Sequence, residues 1–165
     1  MIAFGHTAAG AGIGLLGYSL YKDSNPFLGL AYTAGLGIAS HYVLDFIPHG
    51  HFFKPDKFRK YLSEILIGDV FLSVLIFLGA DYLKEGLTLR FFYILFGIGG
   101  SLLPDILDGL MEIKYLPKNL LLKLEHSFHK NMHWHGKGVK TRLLNFIDIW
   151  QVAIIVCSLF LIFKT

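Results

Sequence analysis

The stretch FLGLAYTAGLGIASHYVLDFIPHGH, residues 27–51, decides how the rest of the chain is read. From Phe27 to Ala39 it carries no charge. Roughly 20 apolar residues in a helix cross a bilayer core of about 30 Å, so residues 27–47 are expected to form one membrane span. Its histidines and aspartate enter only at its end, as His41, Asp45, His49 and His51, after Ser40. Such groups are expensive at membrane depth and tend to be kept for a function. On a helix running through Ile47, His41 and Asp45 lie one turn apart on one face. Pro48 then ends the helix and turns His49 and His51 back toward that face. Imidazoles with a carboxylate are the donor set of a zinc-type ion. A polar helix end at a membrane surface would use the same residue types. The choice rests on whether other polar residues gather in the same place.

Composition places the whole chain with this stretch. Its 165 residues are 54% hydrophobic, 15% aromatic and 16% charged, with a mean hydropathy of +0.55, which belongs to the membrane class. Further apolar blocks cover roughly 3–21, 64–83, 89–111 and 143–163. The expected fold is all-α, a polytopic membrane helix bundle of about five spans, with residues 1–165 as a single integral membrane domain. The start MIAFGHTAAGAG has neither a basic n-region nor a clean cleavage site and is read as part of the first span. Cys157, the lone cysteine, falls in the last block, which excludes a disulfide within the chain and a thiolate cluster.

Lys and Arg set the orientation. Lys54, Lys57, Arg59 and Lys60 follow the second block, and another group runs from Lys114 to Arg142. With five spans both connections share a side with the amino terminus, and the positive-inside rule makes that side cytoplasmic. The segment FFKPDKFRKY, residues 52–61, mixes aromatic and basic side chains. That mixture suits the headgroup level and anionic lipid better than nucleic acid.

Other polar residues are then placed by their blocks. The first block holds His6 among Gly5, Ala8, Ala9, Gly10, Gly12, Gly14 and Gly17, small residues that let membrane helices approach closely. Its GIGLLG, residues 12–17, has no strand before it, so a phosphate loop is not expected. The third block opens with Glu64 and Asp69, while Asp81 near its other end is read as solvated. In GIGGSLLPDILDG, residues 97–109, Pro104 is expected to break the helix just before Asp105 and Asp108. GIASHYVLD at 37–45 and GIGGSLLPD at 97–105 also echo one another. Residues 117–133 read as one interfacial amphipathic helix. Leu120, Leu121, Leu124, Phe128 and Met132 take one arc; His126, His129 and His133 take another, with Lys123 and Lys130 beyond them.

The side assignment used only Lys and Arg, yet His6, His41, Asp45, His49, Asp69, Asp105, Asp108, His126, His129, His133 and Asp148 all fall on the inner side. The outer halves of the spans read as nearly bare of polar groups. An Asp at a span centre costs about 2.5–3.5 kcal/mol, less near the ends. A bound divalent cation offsets that cost by turning mutually repelling carboxylates into ligands. The mixed His and Asp set favours Zn²⁺, with Mn²⁺ or Fe²⁺ also suited, and its size suggests two ions or more.

SHYVLDFIPH and GSLLPDILD resemble the signatures of a family of small bacterial inner-membrane proteins classed as metal-dependent hydrolases. More distantly, HxxxD followed by PH is similar to zinc-dependent phospholipase C. That resemblance implies His41, Asp45 and His49 as metal ligands, with Asp105 and His6. It also implies hydrolysis of a phosphate ester or phosphodiester, and a place in the bacterial inner membrane. Here the LPD element follows HxxxD, whereas in the relatives it precedes it. The expected function is a hydrolase of a phospholipid or lipid phosphate. Asp69 or Glu64 would serve as base, and His51, Lys54, Lys57 and Arg59 would meet an anionic lipid substrate. A divalent-metal transporter or sensor and a non-catalytic membrane scaffold are the alternatives.

Overall fold

Among the residues that a computed structural model describes, 3–46, 62–112, 120–132 and 149–164, the chain forms six helices and no strand. They are α1 (Ala3–Tyr21), α2 (Pro26–Phe46), α3 (Leu62–Glu85), α4 (Leu89–Glu112), α5 (Leu120–Met132) and α6 (Ile149–Lys164). Each apolar block of the sequence, and its amphipathic segment, corresponds to one of them. Two stretches, Pro26–Phe46 and Leu89–Met111, are long and apolar enough to cross a membrane. α3 also carries Glu64, Asp69, Asp81, Lys84 and Glu85, and α6 is described over 16 residues.

Local chemistry sets two of the helix boundaries. Asn25 Oδ1 accepts from the backbone N–H groups of Phe27 (3.0 Å) and Leu28 (3.3 Å). Pro26, with no N–H to leave unpaired, takes the first helical position of α2. Gly86, with φ 71°, follows the end of α3, and its N–H donates to Tyr82 O at 2.8 Å. The left-handed conformation costs glycine little and closes a short turn into α4.

Glycines determine how the helices meet. α1 lies at the centre, touching α2, α3, α4 and α6. A Cβ on Gly14 would fall 2.4 Å from Ile94 Cα, and one on Gly97 would fall 2.2 Å from Gly10 O, so the backbones of α1 and α4 are in contact. α2 and α4 run side by side in register. A Cβ on Gly37 would sit 2.6 Å from Gly97 O, and one turn on, His41 Nδ1 is 2.7 Å from Ser101 O. The two echoing segments, 37–45 and 97–105, therefore pack with equivalent positions facing one another. Beside them Ala8, Ala11, Leu15, Phe77, Ile94, Ile98, Leu102 and Ile162 form the buried apolar core. Buried hydroxyls turn to the backbone: Ser158 Oγ donates to Ala8 O at 2.8 Å, and Thr33 Oγ1 to Gly29 O at 2.8 Å.

Contact this close gives a direct test. Gly97→Ala is expected to cost about 1–3 kcal/mol, because the added methyl meets backbone that cannot move aside alone. Gly99→Ala, next but one along the same helix, meets nothing within 4 Å and is expected to keep stability or raise it by up to about 1 kcal/mol, glycine's cost within a helix. Denaturant unfolding of the two variants in one detergent checks the difference.

Two expectations are corrected. Pro104 does not break its helix: α4 continues through it to Glu112. Proline removes one N–H from that turn, and the helix continues regardless. Asp81 is not solvated but fully buried, 2.9 Å from Arg90 Nε. The Gly86 turn brings the end of α3 and the start of α4 together, and α6 closes over them. Arg90 Nη2 donates to Ile162 O at 2.6 Å, and Lys84 Nζ donates to the same oxygen at 3.1 Å. The end of the bundle read as bare thus holds a buried ion pair.

Candidate metal centre

At the opposite end of α4 from Arg90, three helices bring polar side chains together. His41 and Asp45, four residues apart on α2, place imidazole and carboxylate on one face, and His6 of α1 meets them from across the helix contact. Asp45 lies between the two histidines. Its Oδ1 is 3.1 Å from His6 Nε2 and its Oδ2 is 3.0 Å from His41 Nε2. The imidazole rings stack with centroids 4.1 Å apart. His6 is 1% exposed, and His41 and Asp45 are 0% exposed. The glycines around this end, Gly10, Gly37 and Gly97, allow the three backbones to come close enough for short side chains to converge.

The environment of His41 fixes its chemistry. A carbonyl oxygen only accepts, so Nδ1 carries the hydrogen that bonds to Ser101 O at 2.7 Å. Nε2 then faces Asp45 Oδ2, with Asp105 Oδ1 of α4 at 3.7 Å. Such an imidazole either holds a second proton or presents a lone pair, and a lone pair facing carboxylates calls for a cation between them. A histidine that donates through one nitrogen to a backbone carbonyl and ligates through the other is a common arrangement at metal sites. Ser101 also helps to fix His6: its Oγ donates to His6 O at 2.8 Å.

The donor set fits a divalent ion. One ligand atom from each of His6, His41 and Asp45 lies within 4.8 Å of the others. Tetrahedral zinc, with bonds of about 2.0–2.2 Å, holds its ligand atoms about 3.3 Å apart; the 3.1 and 3.0 Å separations here run to the two different oxygens of Asp45 and are also hydrogen-bond lengths. In addition, His6 Nδ1 is buried without a hydrogen-bond partner among the described residues. Asp105 is 38% exposed and connects the buried group to the surface.

A second polar group lies beside the first, where α5 meets α2 and α4. Tyr42, next to His41, donates its hydroxyl to Glu125 Oε1 at 3.0 Å and packs its ring on Phe128 at 5.0 Å. His126, the next residue of α5, contacts the Asp108 carboxylate of α4 through Nδ1. Asp69 stands one turn before Ser73 on α3, and Ser73 Oγ is 2.9 Å from Thr7 Oγ1, beside His6.

The structure thus brings together His6, His41, Asp45 and Asp105, and sets Asp108 with His126. Glu64 and His129 lie in described helices, but their side chains are outside the described residues. His49, His51, Lys54, Lys57, Arg59 and His133 lie outside the described residues altogether. Sequence reasoning missed Ser101, Tyr42, Glu125 and the Asp81–Arg90 pair. Ser101 was within reach, since it takes the place of His41 in the second echoing segment. Set against protein families, curated proteins and solved structures, the chain matches none of them.

Proposed function

We propose that this chain is a membrane-embedded hydrolase that uses a divalent ion, Zn²⁺ by its donor set, to cleave a phosphate ester or phosphodiester of a lipid. The observation that carries the reading is the fully buried His6–His41–Asp45 group with Asp105 at its open side. An ion held there would lower the pKa of a bound water to near 7 and steady the phosphate oxygens. His6, His41 and Asp45 would hold it, and the Ser101 carbonyl would orient His41. Asp105, half-buried and with Oδ1 3.7 Å from His41 Nε2, would take the proton from that water, with Asp69 or Glu64 as the other candidate bases. The proposal extends to five spans in a bacterial inner membrane, with the amino terminus and the ion on the cytoplasmic side. The basic residues Lys54, Lys57 and Arg59 and the nearby His51 would meet the anionic headgroup.

Transport of the ion is a weaker reading. The buried Asp81 and Arg90 do put charge at the far end of the bundle, but Phe77, Ile94, Ile98 and Leu102 fill the core with apolar side chains. Hydrolysis is tested with protein stripped of metal, reloaded with zinc, and given a broad panel of phospholipids and lipid phosphates. Turnover that needs zinc and is lost in His41→Ala supports the proposal. No turnover by fully loaded protein on any member of the panel contradicts it.

A further inference from the structure

His6, His41 and Asp45 are buried, so an ion or a phosphate reaches them only if part of the structure moves. The helices that carry them cannot part easily. A Cβ on Gly97 would fall 2.2 Å from Gly10 O, and one on Gly100 would fall 2.2 Å from Ala34 O, so α4 is in backbone contact with both α1 and α2. The way in is therefore the side of Asp105, which is 38% exposed. α5 borders that side. Glu125 accepts from the hydroxyl of Tyr42, the neighbour of His41, at 3.0 Å, and His126 contacts Asp108, one turn beyond Asp105.

A helix of 13 residues is marginal without tertiary support, and a surface helix normally finds that support by turning its apolar face to the protein. α5 does the reverse: Leu120 and Leu124 are 72 and 57% exposed, while polar side chains make its ties to α2 and α4. An apolar arc turned outward at the end of a membrane bundle suits the acyl layer below the headgroups. α5 thus combines few ties to the bundle with a face that lipid can hold. We propose that α5 is a lid on the metal centre, clasped shut by the Tyr42–Glu125 and Asp108–His126 contacts and carried by the bilayer when it opens. The inference rests on the reading of His6, His41 and Asp45 as a metal centre, but the position of α5 is read without zinc as well as with it.

The test uses the full chain in lipid nanodiscs, as the parent, Tyr42→Phe and Glu125→Ala. Tyr42→Phe keeps the ring that packs on Phe128 and removes only the hydroxyl. Spin labels at Lys123→Cys on α5 and Ala39→Cys on α2, both exposed positions, report the position of α5 in a Cys157→Ser background. A chelating dye reads how fast bound zinc is stripped. The parent is expected to show a main short distance and a minor longer one. Each variant should shift the ratio toward the longer distance by about tenfold, the effect of losing one hydrogen bond to a charged group, and should release zinc faster by a similar factor. A label at Leu124→Cys should meet oxygen, which dissolves in lipid, more readily than a water-soluble nickel chelate. One unchanged distance in all three proteins would overturn the proposal, as would a shifted distance with an unchanged stripping rate, since α5 would then move without covering the centre. Greater access of the nickel chelate to Leu124→Cys would overturn the bilayer as its support. If the parent binds no zinc yet shows both distances, the hinged α5 stands and the metal centre falls.

Discussion

Replacing Arg90 with alanine is expected to lower the unfolding free energy by about 3–5 kcal/mol, the cost of leaving a buried charge without its partner. Asp81 is 0% exposed and has Arg90 Nε 2.9 Å from Oδ1, yet neither carboxylate oxygen receives a well-directed hydrogen bond among the described residues. The guanidinium charge is therefore the main compensation for that carboxylate. The substitution also removes the donor that holds Ile162 O at 2.6 Å, so α6 loses its tie to the α3–α4 turn. Replacing both partners, as Asp81→Leu with Arg90→Met, should recover most of the loss, because paired charges carry a desolvation cost that apolar side chains do not. Denaturant unfolding in detergent measures both. A single variant as stable as the parent would show that the pair does not hold this end together.

The second large effect belongs to Asp45. Asn has the same shape and can still accept from one histidine and donate to the other, so Asp45→Asn should fold. It removes the negative charge that sits 3.1 Å from His6 Nε2 and 3.0 Å from His41 Nε2. Changes to groups that merely orient metal ligands cost about 10–100-fold in affinity or activity. Loss of the proposed charged ligand should therefore weaken zinc binding by more than about a hundredfold, and the proposed hydrolysis should fall to background at zinc concentrations that saturate the parent. Competition against a chelating dye reads the affinity, with circular dichroism confirming the helices.

How much of this was legible in the sequence follows from where each signal resides. Helix positions were legible because apolar blocks and their breaks are local, as at Asn25-Pro26 and Gly86. His41 and Asp45 were legible because both lie on one helix and their spacing alone puts them on one face. His6 could be assigned only to an end of the bundle; its contact with Asp45 depends on the glycines that bring α1 against its neighbours. Asp81 was misread, and its pairing with Arg90 missed, because each alone looks like a wetted helix end. Their burial comes from α6, and no local pattern announces it. Pro104 was misread because the rule that proline ends helices concerns an isolated turn, whereas here α1 and α2 pack against the helix on either side. The contact of Tyr42 with Glu125 spans 83 residues of sequence, and nothing near either residue marks it.

The central claim is that His6, His41 and Asp45 hold a divalent ion. Elemental analysis of protein purified without chelator, as the parent and as Asp45→Asn, tests it most directly. The account predicts at least about one zinc, manganese or iron per folded parent chain, and loss of that ion in the variant. A folded parent that carries no such ion and takes up none on zinc titration would contradict it.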